Sequence, residues 1–498
     1  MPSTLRVNHD FNIHVAADTT SAHGTLAWAV ANAHNGDTIL LTEDLARTGG
    51  ITLTQGELLL TQQNLTITSA ADPVTISGNH LSRVFEVASG ASVTLSNVIV
   101  TGGNGLANNG IPESHPNRGG GAVVDVGATL TMTGSTFSGN SAGLFGGGIE
   151  NFGTLTLGNS TLTGNYAGNS GGGFLNVSSM TATDCTVSGN SAGFGGGFYN
   201  SAGFGGPDNT GTLTVSHCTV SDNTATTSGG GIYNFGQITV RDHSTLSGNS
   251  AEFGGGIYNS ASDSIPASGT LAVIDSTLSR NVASSQGGGI YNSTTATATA
   301  SDHSTLSDNT AFVGGGIFNG GTLTAGDGST LSGNTATYGG GIFNVKTLTV
   351  SGGTVSDNSA TGGYGGGIAN FGALTVNGGS TLSNNSADYG GGIFNGGTLT
   401  ASDGSTLTGN SAIWGGGIFN SGTATIRDST LSGNSASSQG GGILNNYYST
   451  LTVENSSAIT GNTAPVGFGA DVYDLGVLYW DATGGLGVRD GNQPQLLP

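Results

Sequence analysis

A six-residue motif, GGG-[I/F]-x-N, recurs twelve times between Gly146 and Asn445, and most neighbouring copies begin 24 to 27 residues apart. A fixed period of this length is typical of proteins in which each repeat is one coil that cannot bury its apolar side chains alone. Such coils must stack on their neighbours. The period therefore predicts a single elongated body, rather than the several globular domains that 498 residues would otherwise suggest.

The charge balance limits the partners of the chain. Thirty acidic residues against nine basic ones give a formal charge of −21, which makes nucleic acid and anionic membrane surfaces unsuitable partners. The sequence has no run of 18 apolar residues, so we expect a protein that does not span the membrane. Its first residues do not resemble a secretory signal, yet the composition is that of an extracellular or cell-surface protein. The oligomeric state is left open.

The alternation of residues within a period predicts three short strands per coil of about 25 residues, as in residues 390–415. Leu399 and Leu407 are expected to face inward, because successive side chains of a strand point to opposite sides. A second motif, [L/F/V/I]-[S/T]-x-N-x-A, recurs thirteen times in step with the first. These features predict an all-β parallel solenoid.

Both motifs place an asparagine in a fixed column, and we assign these columns a structural role. Stacked amides can hydrogen-bond from coil to coil, and asparagine tolerates the left-handed backbone of sharp corners. The first column is represented by Asn140, Asn165, Asn249, Asn334, Asn410 and Asn434, and the second by Asn319, Asn344, Asn395 and Asn420.

Four segments are predicted along the chain. Residues 1–50 form an N-terminal cap, with a strand over Phe11–Val15 and a short helix over Thr25–Ala33 that shields the apolar end of the first coil. Residues 51–118 form irregular first coils with an insertion at 104–118. Residues 119–465 form the regular coils, and residues 466–498 form a C-terminal cap or tail.

The segments FSGNSAGLFGGGIEN (137–151) and TLSGNTATYGGGIFN (330–344) resemble the FxxN and GGAI repeats of chlamydial polymorphic outer-membrane proteins, with GGG in place of GGA. Residues 17–39 are similar to the CSLREA-type N-terminal segment of bacterial β-helix proteins, without its cysteine or arginine. The resemblance implies a right-handed parallel β-helix that is secreted or displayed at a bacterial surface, with adhesion as its role. Right-handed parallel crossovers are also the general preference.

Many parallel β-helices, including those of the pectin lyase type, cleave polysaccharides with clustered carboxylates and a basic partner. No such set stands out, so no catalytic residue is assigned, and a polysaccharide-degrading lyase or hydrolase is kept as the alternative. Aspartates recur at one corner of the coils, where we expect them to serve turn geometry. They are Asp184, Asp242, Asp275, Asp302, Asp327, Asp403 and Asp428. No metal ligand is assigned, and calcium is kept open as a cofactor.

The two cysteines, Cys185 and Cys218, each stand five residues before the marker asparagine of their coil, where neighbouring coils carry serine. We expect them to be stacked neighbours. The spacing of adjacent coils lies within the range for a disulfide, although parallel Cβ directions disfavour the bond. A disulfide and a pair of free thiols therefore both remain open.

Two columns of aromatic residues are the best candidates for binding. One precedes GGG and the other occupies the x of the motif, a position that we expect to face solvent. Exposed stacked rings could hold a glycan or a host or cell-surface protein, whereas ladders of like rings also stabilise solenoids by themselves. The candidate binding residues are Tyr338, Tyr364, Tyr389 and Trp414 in the first column, and Tyr258, Tyr291, Phe394 and Phe419 in the second.

The sequence thus favours a secreted or cell-surface structural or adhesion-type β-helix protein. A third function follows from repeated T-x-T pairs, which would present a threonine array like the face of ice-binding β-solenoids. The pairs are interrupted at Gln237-Ile238, Leu271-Ala272 and Ala373-Leu374, and threonine is in any case a good strand residue. Ice binding is therefore a minor alternative.

Overall fold

The computed structural model describes residues 3–7, 25–105, 117–202, 211–261, 269–481, 485–491 and 495–496. The described chain is nearly all β. It forms a right-handed parallel β-solenoid of about 16 turns with about 26 residues per turn, and two helices. The predicted fold class is therefore confirmed. The chain divides into two compact units, unit 1 ending at Thr245 and unit 2 beginning at Leu246.

Four parallel sheets, named A to D here, build the coils of unit 1. Sheet A contains Thr4–Val7, Thr38–Leu41, Leu65–Ser69, Ser92–Ser96, Thr129–Thr133, Thr154–Gly158, Ser179–Thr183, Thr212–Ser216 and Gln237–Arg241. Sheet B contains Ile51–Thr52, Val74–Ser77, Val98–Thr101, Thr136–Ser138, Thr161–Thr163, Thr186–Ser188 and Thr219–Ser221. Sheet C contains Leu58–Leu60, Phe85–Val87, Ala122–Val124, Ile149–Asn151, Phe174–Asn176, Phe198–Asn200 and Ile232–Asn234. Sheet D contains Ser141–Ala142, Tyr166–Ala167, Ser191–Phe194 and Thr224–Ser228.

The same four sheets recur in unit 2, and the strand Thr245–Ser247 contains the boundary. Sheet A contains Thr270–Ile274, Thr297–Ser301, Thr322–Gly326, Thr347–Ser351, Ala373–Asn377, Thr398–Ala401, Thr423–Arg427, Thr450–Glu454, Val477–Trp480 and Gln495–Leu496. Sheet B contains Thr277–Ser279, Thr305–Ser307, Thr330–Ser332, Thr354–Ser356, Thr381–Ser383, Thr406–Thr408, Thr430–Ser432, Ala458–Thr460 and Gly485–Leu486. Sheet C contains Ile257–Asn259, Ile290–Asn292, Ile317–Asn319, Ile342–Asn344, Ile368–Asn370, Ile393–Asn395, Ile418–Asn420, Ile443–Asn445, Val472–Asp474 and Arg489–Gly491. Sheet D contains Ser250–Phe253, Val282–Gln286, Thr335–Ala336, Ser359–Ala360, Ser386–Tyr389, Ser411–Trp414 and Ser435–Gln439.

Sheets A, B and C supply the three strands per coil that the sequence predicts, and sheet D adds a fourth, shorter strand in most regular coils. The core lies inside each coil. Leu399 and Leu407 are buried, as the alternation predicts, and each side chain of this kind stabilises the fold by roughly 1.5–3 kcal/mol when fully buried. Because identical side chains stack in successive coils, the core is a set of continuous aliphatic columns.

The three glycines of the motif form the tight corner between sheets D and C. In the copy at 314–316, Gly314 has a φ of +67°, which favours glycine. A Cβ on Gly315 would lie 2.4–2.5 Å from backbone oxygen atoms, and one on Gly316 would lie 2.6 Å from the carbonyl oxygen of Gly341. The corner therefore requires glycine at all three positions, the first for its backbone conformation and the others for close backbone approach.

The described part of the cap contains two short helices. The first, Leu26–Asn32, begins at Thr25, whose Oγ1 accepts a hydrogen bond from the Trp28 amide at 3.2 Å. It buries Leu26, Ala29 and Val30 and agrees with the predicted helix. The second, Glu43–Thr48, was not predicted. The strand predicted over Phe11–Val15 lies outside the described residues, as does most of the insertion at 104–118.

Candidate functional site

The central residue of each sheet C strand, the x of the motif, forms a column of rings in unit 2. Phe394 and Phe419 are only 8% and 9% exposed, while Tyr258, Tyr291 and Tyr473 are half-buried. Rings of successive coils stack, with centroids 4.6 Å apart for Tyr258 and Tyr291 and 5.4 Å apart for Phe394 and Phe419. The expectation that this position faces solvent is therefore wrong, because other side chains cover the outer surface of sheet C.

The covering side chains come from the column that precedes GGG. Tyr364 lies 4.6 Å from Phe394, and Tyr389 meets Phe419 edge to face at 5.4 Å. Trp414 stacks on Tyr389 at 4.5 Å, and Tyr338 lies 5.5 Å from Tyr364. All four covering residues are half-buried. The structure thus brings the two predicted aromatic columns together as one double layer, which we call the aromatic surface.

The aromatic surface is continuous even where the x position is small. Ala369 occupies that position in one coil and is fully buried. Phe371, two residues later, lies 5.2 Å from Phe343 and 5.4 Å from Phe394, so it fills the gap that Ala369 leaves. Phe371 is 43% exposed. One ring is therefore held in the stack while part of it remains open to solvent.

A second exposed ring lies at the opposite edge of the aromatic surface. Phe312, on the sheet D side, is 54% exposed and meets Tyr338 edge to face at 5.6 Å. Val345 is also exposed, and it occupies the position of the preceding coil that corresponds to Phe371. Sequence reasoning missed Phe312 and Phe371 because neither lies in a repeated aromatic column. The available signal was the break in the column at Ala369.

In unit 1 the same position of sheet C is ionic in the early coils. The strand pairing aligns Glu86, Val123, Glu150 and Leu175 in successive coils, before Tyr199 and Tyr233 begin a stacked pair of rings at 4.7 Å. Each of the two glutamates is covered by an arginine. In these coils an arginine covers a glutamate on the outer surface of sheet C, where one ring covers another in unit 2.

The first arginine, Arg83, is fully buried and lies 2.6 Å from Glu57 and 3.6 Å from Glu86. Its Nε also donates to the carbonyl oxygen of Gly119 at 2.9 Å. Because the guanidinium has several donors held in a fixed plane, it can satisfy both carboxylates and the backbone at once. This cluster joins neighbouring coils through charge-assisted hydrogen bonds.

The second arginine, Arg118, donates to Glu150 at 3.0 Å and lies over the rings of Phe145 and Phe152, at 4.9 and 5.5 Å from their centroids. Glu150 is 1% exposed, and its Oε2 has no hydrogen-bond partner. Burial raises the pKa of Glu150 to about 8, while Arg118 acts in the opposite direction.

Both asparagine columns form buried ladders in which each amide donates to the amide oxygen of the next coil. Asn140 and Asn165 bond at 3.0 Å and Asn410 and Asn434 at 2.9 Å in the first column, and Asn319 and Asn344 bond at 2.7 Å in the second. The other asparagines of the columns are also buried: Asn249, Asn334, Asn395 and Asn420. The ladders satisfy polar groups that burial would otherwise penalise.

At their C-terminal ends, both ladders meet an aspartate in place of another asparagine. Asn462 donates to Asp471 at 2.8 Å, and Asn445 donates to Asp474 at 2.7 Å. Burial raises the pKa of Asp474. These carboxylates accept the last amide hydrogens of the two ladders, so no donor is left unsatisfied there.

The two cysteines lie on neighbouring coils as free, buried thiols. The Cys185 amide donates to the Cys218 sulfur at 3.3 Å, as the Ser135 amide does to the Ser160 hydroxyl elsewhere in the same row. The hydrogen bond shared with Cys185, together with burial, raises the pKa of the Cys218 thiol. The same hydrogen bond lowers the pKa of the Cys185 thiol, and both thiols are buried from solvent.

The corner aspartates share one backbone geometry. All seven, from Asp184 to Asp428, have φ between +46° and +55°, the left-handed region that Asp tolerates better than most residues. Turn geometry accounts for them. Within the described residues there is no group of three or more His, Cys, Asp or Glu side chains placed to hold a metal ion. No helix among those residues is long and apolar enough to cross a membrane.

A family model for the Chlamydia polymorphic membrane protein (Chlamydia_PMP) repeat matches the chain at residues 217–234, 275–293 and 428–446. Each match contains a sheet B strand and a sheet D strand and then a GGG-I-x-N motif with its sheet C strand. No curated protein and no solved structure matches the chain significantly. The repeats and the solenoid together support a surface-associated β-helix protein.

Proposed function

From the premise that the chain is a polymorphic membrane protein-like β-helix repeat protein, we propose that it is a secreted or cell-surface adhesion module. Its binding site is the aromatic surface of unit 2, and its ligand is a glycan. The observation that carries this proposal is the exposure of Phe312 and Phe371, 54% and 43%, at the two edges of a continuous layer of rings. Contiguous exposed apolar patches mark interaction sites on protein surfaces, and the two rings extend one continuous apolar layer to the surface.

The interior of the aromatic surface supports the two exposed rings and offers the ligand few free ring faces of its own. Because the rings of neighbouring coils stack face to face, their faces are largely occupied by one another, as for Tyr389 and Trp414. A sugar needs a free ring face on which to pack its C–H groups. Phe312 and Phe371 retain exposed ring area, and half-buried tyrosines between them, such as Tyr338 and Tyr364, offer hydroxyl groups for hydrogen bonds.

The proposal is tested by a glycan-array screen of the full chain beside a Phe312→Ala/Phe371→Ala double variant, with and without calcium. We expect a glycan signal from the parent chain that is lost in the double variant. The matched control is Tyr448→Ala, which removes a fully exposed ring from the corner between sheets C and A, three coils beyond the corner that contains Phe371. Equal loss in the control, or unchanged binding in the double variant, would remove the assignment.

A Tyr389→Ala/Trp414→Ala double variant tests the supporting layer. Because both rings are half-buried, its binding is interpreted only beside a circular dichroism melt. Silence of the parent chain on every glycan would shift the proposal to a protein partner or to a purely structural role. The alternative of a polysaccharide-degrading enzyme stays a prediction, which reducing-end assays on acidic polysaccharides address.

A further inference from the structure

Sheet A of unit 2 presents an outward face that the aromatic surface does not use. The strand pairing aligns the T-x-T pairs of seven successive coils without a register shift. The second threonine of the pair forms an unbroken column from Thr299 to Thr452. The first forms a column from Thr297 to Thr450 in which Ala373 is the one exception. The interruption at Ala373 therefore affects one column only.

We propose that this two-column threonine face binds ice. Stacked strands place its columns at a repeat of about 4.8 Å from coil to coil, and the two threonines of a strand lie about 7 Å apart, so the array covers about 29 Å by 7 Å. Rows of oxygen atoms in ice have a repeat close to that of stacked strands. A rigid, parallel, bulge-free sheet can therefore match several lattice rows at once.

The hydroxyl groups of this face are available for water. Thr299 donates to the carbonyl oxygen of Leu271 at 3.4 Å. The side chains of the other threonines of the array have no hydrogen-bond partner in the described part of the chain. Beneath them the residue between the two threonines, such as Leu348 or Leu399, is buried in the core. The outer groups are thus held on a rigid base while their hydroxyls remain unpaired.

The two threonine columns carry no charge, which suits contact with the uncharged lattice of ice. The whole chain carries a formal charge of −21, yet none of the array positions from Thr297 to Thr452 is charged. Arg427 and Glu454 lie in register at the ends of the last two strands, outside the two threonine columns, so the columns themselves offer no charged group to an acidic surface or a cation. The methyl groups add apolar area between the hydroxyls, a combination that serine cannot supply.

Sheet B of the same coils provides a built-in comparison. Its outward pairs are mostly T-x-S, as in Thr354 and Ser356 or Thr381 and Ser383, so one column lacks the methyl groups. Strand propensity alone explains threonine on either sheet. It does not explain why the second position is threonine in sheet A and serine in sheet B.

The test measures thermal hysteresis, ice-crystal shaping and partition into growing ice for the purified full chain. The test variant is Thr349→Tyr/Thr375→Tyr. It places two bulky outward-facing side chains in the middle of the unbroken column and leaves the core residues unchanged. The control is Ser356→Tyr/Ser383→Tyr on sheet B. Circular dichroism melts verify that both variants are folded.

We expect the parent chain and the sheet B control to shape ice and to enter it, and the sheet A variant to fall to the level of serum albumin. A parent chain that leaves ice growth unchanged overturns the proposal, as does equal activity in all three proteins. Retention on microcrystalline cellulose without ice shaping also overturns it, in favour of a polysaccharide surface. The glycan-array result is independent, because Phe312 and Phe371 lie outside sheet A.

Discussion

Two early coils of unit 1 carry glutamate at the position of sheet C that holds stacked rings in unit 2. Glu150 is 1% exposed beneath Arg118, and Phe419 is 9% exposed beside Tyr389. In both cases a side chain from the preceding segment covers the outer surface of the strand. The difference teaches that the outer surface of the strand can be covered either by an arginine over a glutamate or by stacked rings.

Arginine–glutamate contacts and stacked rings differ in the desolvation free energy that they cost and in the apolar surface that they leave exposed. A buried ion pair must offset a desolvation penalty of several kcal/mol per ion, so its loss on one side leaves an uncompensated charge. Stacked rings carry no such penalty and leave apolar edges at the surface. The ionic coils are therefore suited to holding neighbouring coils together, whereas the aromatic coils can also provide a surface for contact.

The largest effect is expected for Arg83→Met. This change leaves Glu57 and Glu86 without the guanidinium that pairs with both, and breaking a buried pair costs about 3–5 kcal/mol. Hydrogen exchange of the amides of Phe85–Val87 measures the loss of local stability. The control Arg47→Met removes an exposed arginine paired with Glu43 and should change exchange little. Unchanged protection in Arg83→Met would show that the ionic cover contributes nothing.

A smaller effect is expected for Phe419→Ala in unit 2. The ring packs against Phe394 and Tyr389, but it lies on the outer side of the sheet, where neighbours can relax into the space. We expect a loss near or below the lower end of the range for buried rings, about 2–3 kcal/mol. Exchange of the amides of Ile418–Asn420 measures it. Because Ala369 shows that alanine is tolerated beneath Phe371, a loss as large as that of Arg83→Met would contradict the comparison.

The smallest expected effect, counted per pH unit, is the change in the unfolding free energy of unit 1 with pH. The folded pKa of Glu150 is about 8, above its ordinary value of 4.5, so its stabilising contribution is complete below pH 4.5 and is lost as pH rises through 8. We expect the unfolding free energy to fall between pH 5 and 8 by at most about 1.4 kcal/mol per pH unit. Glu150→Gln should flatten this slope, as measured by exchange of Ile149–Asn151. A slope that is the same in both proteins would show that Glu150 is not its source.

Much of the fold was predictable because it depends on repetition. The period gives the coil, the alternation of Leu399 with its neighbours gives the inward face, and the GGG corner follows from glycine at fixed spacing. Placement of the aromatic columns in register also follows from the period. The cover over those columns was not predictable, because it depends on where the segment before GGG lies in three dimensions.

Residues outside the repeat were the least predictable. Phe371 belongs to no column, and its contact with Phe343 and Phe394 exists only because Ala369 leaves space between coils. Glu57 and Arg83 meet across 26 residues in coils whose sequences do not repeat one another. In both cases the contact depends on how the two coils pack locally, and the repeat spacing of the sequence does not indicate it.

The sequence by itself determined the parallel solenoid, its coil length, its asparagine columns and its left-handed aspartate corners, because each follows from residue type at a repeated position. Only the tertiary structure decided which outward residues are covered and which are exposed. It buried Phe419 and Glu150, left Phe312 and Phe371 open, and aligned the threonines of sheet A into two columns, one of them unbroken. The physical reason is that burial of an outward side chain depends on the neighbouring coil and the adjoining segment, which a single repeat does not encode.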